Sequence, residues 1–392
     1  MKLMLGCVVG LCAGVFALAA PPVKLTTRQG DAGPVPLSLQ NEARAAIQRG
    51  LRWLEARQQA DGHWSNPDFP ALTALPLWAL ARGDSTNRAA LEHAKQYLLT
   101  CVHDNGAIYR EPAQKQKGGG LANYNTALCM VALHALNDPQ LAPVILKARA
   151  YVAGTQHFGA DEYRGGMGYD PSNERAYADL SNSYLAYEAM RLTQKVEDQR
   201  RSGEKKVDLD WKAAAEFVTR IQNKPSGTNA AADPEAGGFG YRPGYSMAGT
   251  TTNTAGEVGL RSYSSMTYAG LLSFIYADVD KNDPRVQSAF NWAMKNWSLN
   301  ENPGMGQQGL FYFYNVLAKA LAAAGQAQLP TANGASLNWR VELIKKLVGL
   351  QKTEPATGQG YWLNPEGRWW ESDPVLVTAY TLLALEVAVS GP

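Results

Sequence analysis

The side chains able to do chemistry gather where apolar helical stretches begin. In chain order these starts carry Asn123, Tyr124 and Asn125; Asp179, Ser181 and Asn182; Arg261, Tyr263, Ser264 and Ser265; Tyr312 and Tyr314; and Glu371 with Asp373. Asp179 paired with Glu371 or Asp373 would supply the two carboxyl groups that glycoside hydrolysis requires. Tyr263 beside Arg261 would supply a base and a cation facing a substrate carboxylate, the needs of an elimination on an acidic polysaccharide. Tyr124, Tyr263, Tyr312 and Tyr314 could line a cavity with apolar walls and hydrogen-bonding tips, suited to an amphipathic molecule or a sugar ring. Each has a plainer reading: Asp, Asn and Ser are preferred helix N-caps, and tyrosines pack between helices. The catalytic candidates are therefore Asp179, Tyr263, Arg261 and Asp373. The cavity candidates are Tyr124, Asn125, Ser181, Asn182, Ser265, Tyr312, Tyr314 and Glu371, with Glu301 to Gly309 as a turn-rich segment beside them.

These positions need a scaffold, and the scaffold is repetitive. Ile47, Leu51 and Leu54 are spaced four and three, and Leu72, Leu75 and Ala79 three and four, so two amphipathic helices flank a Gly-containing turn. The layout of helix, Gln, Gly-aromatic turn and apolar helix recurs at roughly 40 to 70 residues, which marks a repeat fold. Its turns read Gly62-His63-Trp64, Gly106-Ala107-Ile108-Tyr109, Gly165-Gly166-Met167-Gly168-Tyr169, Gly237-Gly238-Phe239-Gly240-Tyr241, Gly304-Met305-Gly306 and Gly358-Gln359-Gly360-Tyr361-Trp362. An open array wants polar caps on its terminal repeats, yet the first and last copies are as apolar as the middle ones. Closure follows, and the fold class is all-α: an (α/α)6 toroid of six helical hairpins, with the second helix of each pair lining the centre. The Gln is expected to satisfy helix-end backbone groups, the Gly to allow a tight turn, and the aromatic to wedge between hairpins.

The element Gln58-Gln59-Ala60-Asp61-Gly62-His63-Trp64, with its degraded copies, resembles the repeat of squalene and oxidosqualene cyclases, shared more loosely by the β subunits of protein prenyltransferases. The resemblance covers residues 45 to 389 and implies the toroid fold more than an activity, since the same toroid also serves as a non-catalytic or thioester-bearing domain in other families. Its chemistry can be tested position by position. Cyclases of the squalene-hopene type carry an Asp-x-Asp-Asp-Thr-Ala element whose acid protonates an alkene. Aligning the inner helices on Thr73, Thr126, Ser183, Thr267, Tyr314 and Thr378 places Ala71, Tyr124, Ser181, Ser265, Tyr312 and Leu376 at the proton-donor position. None is acidic; the nearest match, Asp179-Leu180-Ser181-Asn182-Ser183, keeps only the first acid. The prenyltransferase zinc set of Asp, Cys and His is unmatched, since no Asp-x-Cys element accompanies His63, His93, His103, His134 or His157. Nor do Thr100-Cys101-Val102 or Leu128-Cys129-Met130 offer the Gly-Cys-Gly-Glu-Gln of thioester-bearing toroids.

Composition narrows the partners. The 392 residues carry 37 Lys and Arg against 35 Asp and Glu, a formal charge of +2, and lack the basic run of a nucleic-acid binder. Lys2, the apolar run Leu3 to Leu18 and the small residues Ala17, Ala19 and Ala20 read as a secretory leader cleaved after Ala19. Residues 20–44 are expected to be extended, and the mature chain to be exported to a periplasmic or extracellular space with no membrane span. Cys101 and Cys129 would then form one bridge or stay as two buried thiols. Gln114 to Gly120 and Lys195 to Asp210 read as solvated loops. With no P-loop, dinucleotide fingerprint, calcium loop or metal-type cysteine pair, no metal or cofactor is expected. The leading reading is a binding or scaffold protein of the cell envelope that holds a ligand or partner through its central cavity, the ligand being a hydrophobic or amphipathic small molecule or a carbohydrate. The competing reading is an enzyme on isoprenoid or polysaccharide substrates.

Overall fold

A computed structural model of the chain describes residues 35–111, 120–171, 176–201, 203–224, 233–252, 256, 258–330 and 336–390. The leader and residues 114–119 lie outside them. Helices α2 (Ala71–Arg82), α4 (Ala122–Ala135), α6 (Leu180–Leu192), α9 (Ser264–Tyr276), α11 (Leu310–Ala323) and α13 (Pro374–Val389) contact one another in sequence, and α13 returns to α2, closing a ring. Outside it lie α1 (Leu37–Glu55), α3 (Arg88–Leu99), α5 (Ala142–Gly154), α8 (Trp211–Ile221), α10 (Pro284–Lys295) and α12 (Trp339–Leu350). The chain is thus an all-α toroid. Among the described residues three two-stranded antiparallel sheets decorate the ring: β1 (Thr250–Thr252) with β2 (Val258–Leu260), β3 (Leu329–Pro330) with β4 (Ser336–Leu337), and β5 (Lys352–Thr353) with β6 (Gly360–Tyr361).

Burial follows from residue pattern. Inner helices are apolar all round, and α9 is buried at every one of its positions. Outer helices keep one apolar stripe: α8 buries Ala213, Ala214, Phe217, Val218 and Ile221 and leaves its other face to solvent. Among the described residues, no helix is long and apolar enough to cross a membrane.

The repeated Gln, Gly and aromatic residues are the mechanical joints of the ring. Gln58, Gln156, Gln222 and Gln351 each end an outer helix. Their Nε2 groups donate to a carbonyl of the following outer helix or its cap, respectively Ala90, Asp210, Arg285 and Ala46. The last of these joins α12 to α1, reinforced by Arg49 donating to Gln351 Oε1 at 2.8 Å. Gly62, Gly106, Gly165 and Gly237 sit at φ between 90° and 97°. A Cβ on any of them would collide with a backbone carbonyl of the next outer helix, at His93, Lys147, Ala213 and Ser288. The turn glycines are therefore fixed twice over, by conformation and by space. Trp64 and Trp362, fully buried, donate their indole N–H to Leu54 and Leu347 at 2.7 Å and wedge between neighbours.

Two expectations need correction and one choice is decided. The first helix starts at Leu37, inside the segment expected to be extended up to residue 44, because Leu39, Ala43, Ala46 and Ile47 continue its buried stripe. Residues 195–210 are not simply a solvated loop. Gln194–Asp198 forms the short helix α7, and its Glu197 is buried, accepting from Arg149, Arg200 and the Val207 amide. Arg149, itself fully buried on α5, also donates to Met190 O, Thr193 Oγ1 and Val207 O. Cys101 and Cys129 are buried, unbridged thiols.

Removing the Arg149 guanidinium would break its buried pair with Glu197, leaving that carboxylate to Arg200 and the Val207 amide, and would strip Met190 O and Thr193 Oγ1 of their buried donor. Arg149→Ala should therefore lower stability by about 3–5 kcal/mol, read as a shift in the urea midpoint. Lys147→Ala, one turn edge away on the same helix and absent from the network, should shift it little.

Candidate functional site

A cavity of about 480 Å³ opens at the end of the toroid where the inner helices begin. The residues two positions before the aligned Thr, Ser or Tyr of the inner helices all line it: Ala71, Tyr124, Ser181, Ser265, Tyr312 and Leu376. The alignment that located the missing proton donor therefore also located the ring of axis-facing side chains. Phe69, Leu72, Leu121 and Met266 add apolar wall, Tyr263 and Tyr380 further phenols, and Trp369 and Trp370 the lip.

The register is set by one hydrogen bond used five times. The backbone N–H of the wedge residue in each turn donates to the hydroxyl of the aligned Thr or Ser: Trp64 to Thr73, Ile108 to Thr126, Met167 to Ser183, Phe239 to Thr267 and Trp362 to Thr378, at 2.8 to 3.2 Å. The hydroxyl then donates back into its own helix, as Thr126 does to Ala122 O and Ser183 to Asp179 O, both at 2.6 Å. In the fifth repeat Tyr314 takes this position. Its longer side chain reaches past the register to donate to Leu299 O at 2.6 Å, and its ring packs on Phe311 and Phe313. Tyr314 is therefore core and does not line the cavity.

Other expected residues divide in the same way. Asn125, fully buried, accepts from the Ala71 amide at 2.9 Å and donates to Gly120 O, tying α2 to α4. Asp373 caps α13 through the Val375 amide, and Arg261 is exposed on the loop before α9, away from the lining. The structure thus does not bring Arg261 and Tyr263 into one site. Asp179 is both cap and buried acid: Oδ1 accepts from the Asn182 amide at 2.9 Å and Oδ2 from Asn182 Nδ2 at 2.7 Å. It lies behind the cavity wall made by Tyr169 and Tyr241, whose hydroxyls are 3.2 Å apart.

Burial governs the electrostatics. Asp179 is pushed up to about 6 by burial, against hydrogen bonds from Asn182, Tyr177 and Tyr241 that favour its anion. Glu371 is the carboxyl group among the lining residues. Burial raises it too, opposed by Asn364 Nδ2 at 2.7 Å and the Tyr312 and Phe311 amides at 2.7 and 3.2 Å, so its oxygens face the N-terminus of α11. Tyr124 is pushed up to about 12, and Tyr241, Tyr263, Tyr312 and Tyr380 also lie above the usual phenol range through burial. The cavity's phenols are neutral donors throughout the physiological range. Ser181 Oγ lies 3.3 Å from the Tyr312 hydroxyl, and Ser265 accepts from Asn302.

Lys319 and Glu188 close the axis below. Each sits seven residues beyond a lining residue of its helix, about 10 Å deeper. They pair at 3.0 Å, with the Tyr184 and Tyr276 hydroxyls donating to Glu188 at 3.3 Å and the Trp78 ring 4.3 Å from Lys319 Nζ.

Sequence reasoning missed Tyr169 and Tyr241, which also line the cavity. Each lies two residues beyond a wedge residue, so the turn motif that reads as architecture also delivers two cavity phenols. It also missed Trp369 and Trp370, consecutive residues in left-handed backbone (φ 55° and 67°). Trp370 packs edge-on against Phe69 across the mouth at 5.4 Å, and Trp369 lies over Gly309, where a Cβ would come within 3.1 Å of the indole. No repeat position encodes this lip.

Asp179 supplies a pH signature. Its folded value near 6 lies above the unfolded 3.8, so the folded state binds the proton more tightly and stability falls as pH rises from below 4 to above 6. The shift of about two units corresponds to about 3 kcal/mol. Asn preserves the cap, so Asp179→Asn should abolish most of that decline, seen by comparing urea midpoints of both proteins at pH 4 and pH 7.

No protein-family model matches the chain, and no curated protein matches it. Among solved structures it is similar to a variant of the type II terpene cyclase MstE from Scytonema in complex with geranylgeranyl dihydroxybenzoate, at 12% identity, over 90% of this chain and 99% of that one, with a TM-score of 0.51. Another variant of that cyclase in its apo form gives 13% identity, 90% and 98% coverage and a TM-score of 0.51. Candida albicans protein geranylgeranyltransferase-I complexed with GGPP gives 12% identity, 87% and 90% coverage and a TM-score of 0.52. At such identities the likeness is one of fold: an α/α toroid of the kind these proteins have, as the Gln/Gly/Trp repeat implied.

Proposed function

We propose that this protein binds a hydrophobic or amphipathic small molecule of isoprenoid character in the tyrosine-lined cavity, as an exported binding protein of the cell envelope and not as an acid catalyst. The observation that carries the reading is the axis-facing ring of Ala71, Tyr124, Ser181, Ser265, Tyr312 and Leu376, which holds no carboxyl group at any of its six positions. Its volume of about 480 Å³ suits a small molecule, for which cavities of roughly 300–1,000 Å³ are usual. Apolar walls with phenol tips favour a long apolar body carrying a few oxygen functions. The isoprenoid ligands of the MstE and geranylgeranyltransferase complexes support that ligand class.

The catalytic readings have less support. Protonating an isolated alkene needs an acid stronger than an ordinary carboxyl group, whereas burial makes Asp179 weaker and Tyr169 and Tyr241 stand between it and the cavity. An elimination loses its cation because Arg261 points away. Paired-carboxylate hydrolysis loses Asp373 to its cap and the oxygens of Glu371 to backbone amides. A sugar ring would also find few free acceptors here. Export rests on the leader read from Lys2 to Ala20.

Geranylgeraniol should quench or shift the tryptophan fluorescence of the purified protein saturably and be recovered unchanged by mass spectrometry. Leu72→Trp, which fills the cavity from α2, should weaken binding at least about tenfold while the circular dichroism melt shows an intact fold. Equal affinity in that variant would place the ligand elsewhere, and a chemically altered product would make the protein an enzyme. For export, the chain expressed in a bacterium with its leader should be recovered outside the cytoplasm beginning at Ala20; a cytoplasmic chain beginning at Met1 contradicts it.

A further inference from the structure

The cavity walls are uncharged apart from the tied Glu371, but one cation stands at the mouth. Arg368 precedes the two tryptophans of the lip, and its guanidinium lies 4.4 Å from the ring centre of Trp369, one of the lining residues. It is exposed, yet it is held. Nη1 donates to Gln308 Oε1 at 2.5 Å and Nη2 lies 3.7 Å from Met247 Sδ. Both partners are neutral. Among the described residues no carboxylate lies within ion-pair distance of Arg368. A guanidinium carries five N–H donors in a fixed fork, and these contacts engage two of them; Arg368 reaches the mouth through its stacking on the lining residue Trp369.

Several features serve this placement. The left-handed backbone at Trp369 and Trp370 is costly for large side chains and turns the Trp369 ring under the guanidinium. Gly309 leaves room for that ring, and Gln308, its neighbour, supplies the acceptor. Glu371, the acid three residues on, is turned away: its oxygens accept from the amides of Phe311 and Tyr312 and from Asn364. The positive charge is felt inside, where it draws the Tyr263 phenol down against the larger effect of burial. Backbone strain, a stacked ring and a redirected carboxylate together present one unneutralised cation at the entrance of an apolar pocket.

We propose that the ligand is an isoprenoid-type amphiphile with an acidic head group, its apolar body in the barrel and its carboxylate or other oxyanion paired with Arg368 at the mouth. This rests on the proposed binding function and fixes the ligand's polarity and orientation. A bidentate guanidinium contact with an oxyanion is a strong, charge-assisted interaction, and the Trp369 platform limits the side-chain freedom lost on binding.

The test compares two probes that differ only at the head, geranylgeranoic acid and geranylgeraniol, by fluorescence titration at pH 8. The acid should bind about tenfold or more tightly than the alcohol, the size expected of one charge-assisted hydrogen bond, and added salt should weaken the acid selectively. Arg368→Gln should erase the preference by weakening the acid about tenfold more than the alcohol, whereas Arg368→Lys should retain part of it. Equal binding of acid and alcohol to the unmodified protein, or a preference that survives Arg368→Gln, overturns the head-group assignment alone. Failure of both probes to bind overturns the cavity's ligand class and this assignment with it.

Discussion

The structure depends on a buried hydroxyl near the start of five of the inner helices. That hydroxyl accepts the wedge residue's N–H and donates into its own helix, so it fixes the height of the turn against the helix and the rotation of the helix about its axis. A helix apolar all round has no amphipathic stripe to set its rotation. A directional polar contact must set it instead, and Thr or Ser is the smallest residue that both accepts and donates. Once Thr73, Thr126, Ser183, Thr267 and Thr378 face outward into their turns, the residues two positions earlier face the axis. The cavity is the geometric remainder of that constraint.

The fifth repeat shows the constraint by its exception. Tyr314 cannot accept a turn amide at the helix surface, and the work passes to Asn302, which accepts from the Ser265 amide and donates to Ser265 Oγ and Gln308 O. The turn containing Gly304 consequently packs against Ser262 and Tyr263 of the preceding repeat and not against the next outer helix. The segment 301–309 is irregular because it substitutes side-chain amides for the hydroxyl joint. That irregularity brings Gly309 and Gln308 to the mouth, beside the tryptophan lip.

What could be read from the chain follows the same division. Features repeated with each hairpin were legible because several copies carry one signal: the Gly turn, the Gln joint and the axis-facing ring, whose members emerged from alignment alone. Features that occur once were not. Arg261 and Tyr263 are two residues apart but are separated by the entry into α9, which buries one and exposes the other. Asn125 reads like a rim residue, yet its amide is consumed between two helices. The lip depends on left-handed backbone at Trp369 and Trp370, a conformation that no propensity would assign to tryptophan. Arg149 and Glu197 are distant in sequence and look like ordinary surface charges until α5 and α7 meet.

Charge placement along the axis completes the argument. The toroid buries several ionisable groups, and each is disarmed differently: Asp179 by a raised proton affinity, Glu371 by the amides of α11, Glu188 and Lys319 by one another. An acid poised to protonate an alkene would require the reverse, a carboxyl made stronger by its surroundings in contact with the cavity. Ser181 instead occupies the register position where such an acid would act and shares its hydroxyl with Tyr312. Between the mouth and the Lys319–Glu188 pair the barrel therefore offers shape and phenol donors, with no strong proton donor among the described groups. Under the proposed binding function, selectivity would come from the width of the cavity and from what meets the ligand at its open end.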